Sequence, residues 1–258
     1  MHSNKNYFIP FLFLVFVTLN IVAVGCYNKV ELPNNNSSNQ EIFIDTLEIN
    51  PPQNFKLIAL GDSYTIGQSV CTSCRFPEQL KDSLIVNFED QDSFSLQIIA
   101  QTGWSTSSLI NNLDISSLPK YDLVTLLIGV NNQFWGLPFE TYKNEFIDLI
   151  NISTLLTKSN DLSDLIIISI PDYAYTPYAQ SFTQGLRDEI SEEIDIYNNY
   201  AQNYCYQNEI SYVNITDISR LGLDNPELVS SDNLHLSEIA YRLFVERILP
   251  IVEQKIYY

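Results

Sequence analysis

The chain has 258 residues, 45% of them apolar and 17% charged, which is enough apolar character for a core and too much for a disordered polymer. Its formal charge of −18, from 13 Lys plus Arg against 31 Asp plus Glu, excludes nucleic-acid binding by phosphate neutralisation and a polybasic grip on anionic lipid. With two histidines, His2 and His235, a histidine-rich metal site is excluded as well.

Met1 to Asn6 is short and polar and carries Lys5, and the run from Tyr7 to Val24 is dominated by Phe, Leu, Ile and Val before Val24-Gly25-Cys26. That order predicts a secretory signal over residues 1–25. A cysteine directly after small residues resembles the bacterial lipobox. The resemblance implies that Cys26 is lipidated and that the protein is exported and membrane-held, periplasmic or outer-membrane-associated. An uncleaved anchor is the competing reading, since the run is about long enough to span. Residues 26–53 hold an Asn/Ser cluster and Pro51-Pro52 without any period of 2 or 3.6, as expected of a flexible tether. The folded domain is therefore expected over 54–258, where His235 is the lone imidazole.

Within that span, five apolar, β-branched runs predict strands at Phe55–Leu60, Ser95–Ala100, Leu123–Ile128, Leu165–Ile170 and Ile210–Ile215. Helical stretches separate them, over Pro77–Phe88, Pro138–Leu156, Gly185–Gln207 and Ser237–Tyr258. In the third, Ile190, Ile194, Tyr197, Ala201 and Tyr204 recur at three- and four-residue steps and define one buried face. Strand–helix alternation implies an α/β fold, a parallel sheet with helices on both sides, whose ligand site lies beyond the carboxyl ends of the strands.

Polar signals stand at those ends. The first strand runs into Gly61-Asp62-Ser63-Tyr64, the second into Gln101-Thr102-Gly103-Trp104, the third into Gly129-Val130-Asn131-Asn132, and Asp232-Asn233-Leu234-His235 precedes the last helix. A serine hydroxyl is a weak nucleophile that needs a base, usually imidazole. Asp232, three residues before His235, can hold the ring nitrogen that faces away from the serine.

These four segments, in this order, resemble the motif blocks of the SGNH (GDSL-type) hydrolase family. The resemblance implies a three-layer α/β/α, flavodoxin-like fold with a five-stranded parallel sheet. It implies an ester hydrolase with Ser63 as nucleophile, His235 as base and Asp232 as its partner. The backbone N–H groups of Ser63 and Gly103 and the side-chain amide of Asn131 form the implied oxyanion hole. No metal or organic cofactor is implied. The sequence departs from the family at Tyr64, where Leu is usual, and at Asn132, where Asp is common.

Cys71 and Cys74 form a C-x-x-C just after the serine; a local disulfide, free thiols and a redox pair are all open readings. Cys205 falls on a helix face as a small buried residue. Trp104, Trp135, Asp172 and Tyr173, with Tyr175 and Tyr178, follow strand ends and are candidates for contact with substrate. The expected partner is a small-molecule or glycan ester substrate, and the protein is expected to be a monomer. The competing readings are a lysophospholipase, a thioesterase, an acyltransferase of the same family, or a carbohydrate-binding lipoprotein on a retired site.

Overall fold

The computed structural model describes residues 53–88 and 92–257. The expected signal, the expected lipidation of Cys26 and the expected tether up to Pro52 lie outside the described residues.

Strands β1 (Asn54–Gly61), β2 (Ser93–Ala100), β3 (Leu123–Leu127), β4 (Leu165–Ile168) and β5 (Ser211–Val213) form one parallel sheet in the order β2-β1-β3-β4-β5. Its centre is where the sequence is apolar on both faces. No residue of β3 or β4 is more than 4% exposed, as a strand covered from both sides requires. In contrast, β2 has one neighbour and no buried residue.

Helices α1 (Ser63–Ile66), α2 (Phe76–Asn87), α3 (Thr106–Asn111), α4 (Val130–Phe134), α5 (Phe139–Leu156), α6 (Gln184–Gln207), α7 (Thr216–Ser219) and α8 (Glu238–Tyr257) cover both sides of the sheet. On one side α2 packs along α8, and on the other α5 meets α3 and α6. Of the predicted stripe on α6, Ile190, Ile194, Tyr197 and Ala201 lie in the core and Tyr204 packs half-buried against it, with Cys205 beside it fully buried. The Thr183 side chain starts that helix by accepting from Leu186 N.

Three strands, β3, β4 and β5, are shorter than the apolar runs predict, and the last two lose the most. Ser169 Oγ accepts from Ile215 N at 2.8 Å and from Thr216 N at 3.2 Å, and Asn198 bonds both backbone groups of Ile170. Side chains thus take over the backbone groups that a longer ladder would have paired. The short helices α1, α3, α4 and α7 were not predicted, since four to six residues are too few to reveal a 3.6 period.

The strand order positions the site. From β1 the chain moves outward to β2 and then returns to β3 on the other flank, so the topology reverses between β1 and β3. Gly61 pairs with Leu127 at the carboxyl ends of those two strands. A crevice opens at such a reversal.

Candidate active site

At the end of β1 the backbone must turn sharply against β3. A Cβ on Gly61 would stand 2.2 Å from Thr65 Oγ1 and 2.3 Å from Leu127 O, so only glycine fits this contact. Asp62 caps α1, its Oδ1 accepting from Tyr64 N at 3.0 Å, while Ile66 N bonds Asp62 O at 2.9 Å. This places Ser63 in the first turn of α1, 3% exposed, with its side chain on the crevice wall. The Asp62 carboxyl is fully buried. Burial pushes it up to about 7, against the opposing effect of the Tyr64 and Asp62 backbone N–H groups.

Gly103, after β2, has φ +84, the left-handed region that favours glycine. Asn131 lies in α4, directly after β3, and its Nδ2 donates to Trp104 O at 3.0 Å. That bond uses one of the two amide hydrogens, and among the described residues the other has no acceptor. The neighbouring Asn132 is fully buried. Its Oδ1 accepts from Thr106 N at 3.0 Å and its Nδ2 donates to Thr106 Oγ1 at 2.6 Å, with Thr106 Oγ1 donating in turn to Glu145. At this departure from the family, the amide therefore ties α4 to the start of α3.

The last component comes from the loop before α8. His235 Nδ1 faces Asp232 Oδ2 at 2.7 Å. Opposite a carboxylate oxygen Nδ1 carries the proton, so Nε2 is left as the acceptor. Asp232 Oδ1 accepts from Ser230 Oγ, Leu234 N and His235 N at 2.8–2.9 Å, and Oδ2 accepts from Ser69 Oγ at 2.5 Å. Partial burial alone would raise this carboxyl, but the Ser69, Leu234 and His235 donors outweigh it and hold the group well below the usual carboxylate range. The Tyr64 ring packs against the imidazole, with centroids 5.3 Å apart.

One cavity of about 140 Å³ collects these groups. Ser63, Gly103, Asn131 and His235 supply its polar edge, and Val130, Phe134, Trp135, Tyr173 and Leu234 its apolar walls. Among the described residues no hydrogen bond joins Ser63 Oγ to His235. Such bonds are often long before substrate binds.

Not every expected residue reaches this cavity. Trp135, 59% exposed, and Tyr173 line it. The Trp104 ring instead packs against the core, and the residue contributes its carbonyl. Asp172 needs a clear correction. It is fully buried, its Oδ1 caps Ala174 N, and its Oδ2 pairs with Arg220 Nε at 2.9 Å, so it holds the turn after β4 and is not available to a substrate. Tyr178 lines an adjoining groove that shares Phe134 and Tyr173 with the cavity, whereas Tyr175 lies in a separate depression. Cys71 and Cys74 are joined in a disulfide, and Cys205 is buried and free. Sequence reasoning missed Phe134, Leu234 and Ser69. Each stands near a motif, but nothing in its own spacing marks it.

The family model described as GDSL-like Lipase/Acylhydrolase matches residues 59–243, a stretch that runs from the end of β1 past His235. No curated protein sequence matches the chain. Among solved structures, the fold is similar to a lipolytic protein of the G-D-S-L family from Veillonella parvula DSM 2008, at 15% identity and TM-score 0.61, covering 77% of this chain and 98% of that one. It is also similar to an acetyl xylan esterase from Geobacillus stearothermophilus, at 15% identity and TM-score 0.59, covering 78% and 96%. A third, the psychrotrophic esterase EstA from a Pseudoalteromonas species, has 13% identity and TM-score 0.56, covering 79% and 100%.

Proposed function

The chain belongs to the GDSL-like lipase/acylhydrolase family, and from that premise we propose that it is a serine ester hydrolase working through an acyl-enzyme. The observation that carries this reading is the convergence of Ser63, Gly103, Asn131 and His235, with Asp232 behind the ring, on one cavity.

His235 Nε2 removes the Ser63 proton as Oγ attacks the ester carbonyl. The negative charge that develops on the carbonyl oxygen is met by the backbone N–H groups of Ser63 and Gly103 and by the free amide hydrogen of Asn131. Donors already aimed at that oxygen are usually the largest single electrostatic contribution. The imidazolium, steadied by Asp232, then gives its proton to the departing alcohol. Water, activated by the same ring, releases the acid and restores Ser63.

The substrate class follows from the walls. The cavity is small and mostly apolar, which suits a short acyl group. Beyond Phe134 and Tyr173 the adjoining groove adds Tyr178, Phe182, Glu189 and Glu193, aromatic faces and carboxylate acceptors of the kind that hold a hydroxyl-rich alcohol. We therefore infer a short-chain ester of a carbohydrate.

The test is the full-length protein against p-nitrophenyl esters of increasing chain length, beside acetylated oligosaccharides. Short esters are expected to be cleaved fastest, and Ser63→Ala is expected to abolish both turnover and labelling by a fluorophosphonate. Turnover by Ser63→Ala at the wild-type rate would falsify the assignment.

A further inference from the structure

Ser69 is six residues past Ser63, in the loop after α1. Its Oγ donates to Asp232 Oδ2 at 2.5 Å, the same oxygen that faces His235 Nδ1 at 2.7 Å. The donors on Oδ1 are Ser230, Leu234 and His235, all neighbours of Asp232 in the chain. Ser69 is the partner that reaches the carboxylate from a different part of the fold. It does so with φ +67, a conformation uncommon for any residue but glycine.

The loop is built to hold that conformation. Gln68 N bonds Ser63 O at 2.9 Å, and Gln68 Oε1 accepts from Thr102 Oγ1 at 2.7 Å. Two residues after Ser69 the Cys71–Cys74 disulfide closes the turn. Gln79 Nε2 then donates to Cys74 O at 2.7 Å and to Glu238 O at 3.2 Å, fastening the closed turn to the first residue of α8. That helix follows the segment carrying Asp232 and His235, so both partners of the Ser69–Asp232 bond are referred to one support.

We propose that Ser69 is a positioning residue of the active site, and that the Cys71–Cys74 disulfide sustains the rate by holding Ser69 on Asp232. The inference rests on the catalytic roles assigned above to Asp232 and His235. Without the Ser69 donor the carboxylate, about a third exposed, is free to turn, and the charge on Oδ2 is shared with one partner fewer. The imidazolium is then held more tightly and the ring less well directed. Reduction opens the same route: an external dithiol gives two electrons and two protons to Cys71–Cys74, becomes a disulfide itself, and leaves two thiols in an unclosed loop.

The titratable groups facing the pair are Tyr64, against the ring, Tyr241, within electrostatic reach of Asp232, Tyr173, on the wall of the same cavity, and Asp62, within reach of Tyr64. Because burial pushes Asp62 up to about 7, a rate profile alone does not tell that carboxyl from the His235 ring. Nuclear magnetic resonance separates them. The chain holds only His2 and His235, and the spectrum of His235→Asn identifies the His235 signal.

Full-length Ser69→Gly relieves the backbone while removing the hydroxyl. Its melting temperature is expected at or above that of wild type, with kcat down about tenfold, as for loss of a bond to a charged group, and KM within about twofold. The midpoint of the His235 titration is expected to move to higher pH. Dithiothreitol is expected to lower kcat of wild type and to leave Ser69→Gly unchanged. A Ser69→Gly protein with wild-type kcat and an unmoved ring titration overturns the proposal; a lowered melting temperature with an unmoved ring makes Ser69 structural only. Equal loss on reduction in both proteins overturns the link to the disulfide. Retained activity in Ser63→Ala defeats the hydrolase reading instead, and the ring titration still reports whether Ser69 sets the Asp232–His235 pair.

Discussion

Asp62, at the corner after β1, and Asp232, in the loop before α8, both act electrostatically on the buried Tyr64 hydroxyl, yet their surroundings are opposite. Asp62 is fully buried. One of its oxygens caps α1, and the other accepts no hydrogen bond among the described residues. Asp232 is partly open to solvent and accepts from Ser69, Ser230, two backbone N–H groups and the His235 ring. Burial outweighs the few donors and raises the first carboxyl to about 7, whereas a surplus of donors outweighs partial burial and holds the second far below its ordinary range. The corner is shaped by packing, as the steric demand at Gly61 shows, whereas the loop is shaped by hydrogen bonds converging on one carboxylate. Changes to the Asp62 carboxyl therefore act on stability, and changes to the Asp232 carboxylate and its donors act on rate.

The largest expected effect is Asp232→Asn. The amide can keep Oδ1 for the backbone donors, but it then turns an NH₂ toward both Ser69 Oγ and His235 Nδ1. The ring is driven to the wrong tautomer, a change that costs on the order of 10⁴ in kcat where it has been isolated. Steady-state kinetics on a folded variant, judged by circular dichroism, checks this. A loss under about tenfold would break the division between loop and corner.

Asp62→Asn comes next and acts on stability. Asparagine retains the capping oxygen. Because the Asp62 carboxyl is raised in the folded protein, its stabilising contribution is fully present below about pH 4, the range of an unfolded carboxylate. That contribution is lost as pH rises toward about 7. The variant lacks this loss, so its stability relative to wild type is expected to grow across that window, by on the order of a few kcal/mol. Urea unfolding at several pH values reads it directly. A difference that stays constant with pH means that Asp62 is not the titrating group.

Ser230→Ala is the smallest. It removes one donor from Oδ1 and leaves two backbone donors on the same atom, so about 1 kcal/mol or less is expected, a few-fold in kcat. If Ser230→Ala matched Asp232→Asn, the carboxylate would depend on a single bond and not on the set.

The sequence by itself determined the alternation of strands and helices, because burial on both faces leaves an apolar run and a buried helix stripe leaves a 3.6 period. It also placed Ser63, Gly103, Asn131 and the Asp232–His235 pair at strand ends or before the last helix, since each follows a periodic segment closely and carries an unusual residue type. Contacts between segments distant in the chain were decided by tertiary structure alone. Asp172, next to a strand end, was legible as a substrate contact only because its partner Arg220 lies 48 positions away. Trp104 packs half-buried against the core, a placement that no local pattern encodes. Ser69 meets Asp232 across 163 positions. Periodicity reports which face of an element is buried, whereas a single polar contact between loops depends on how the sheet brings their ends together. That information resides in the strand order and not in either loop.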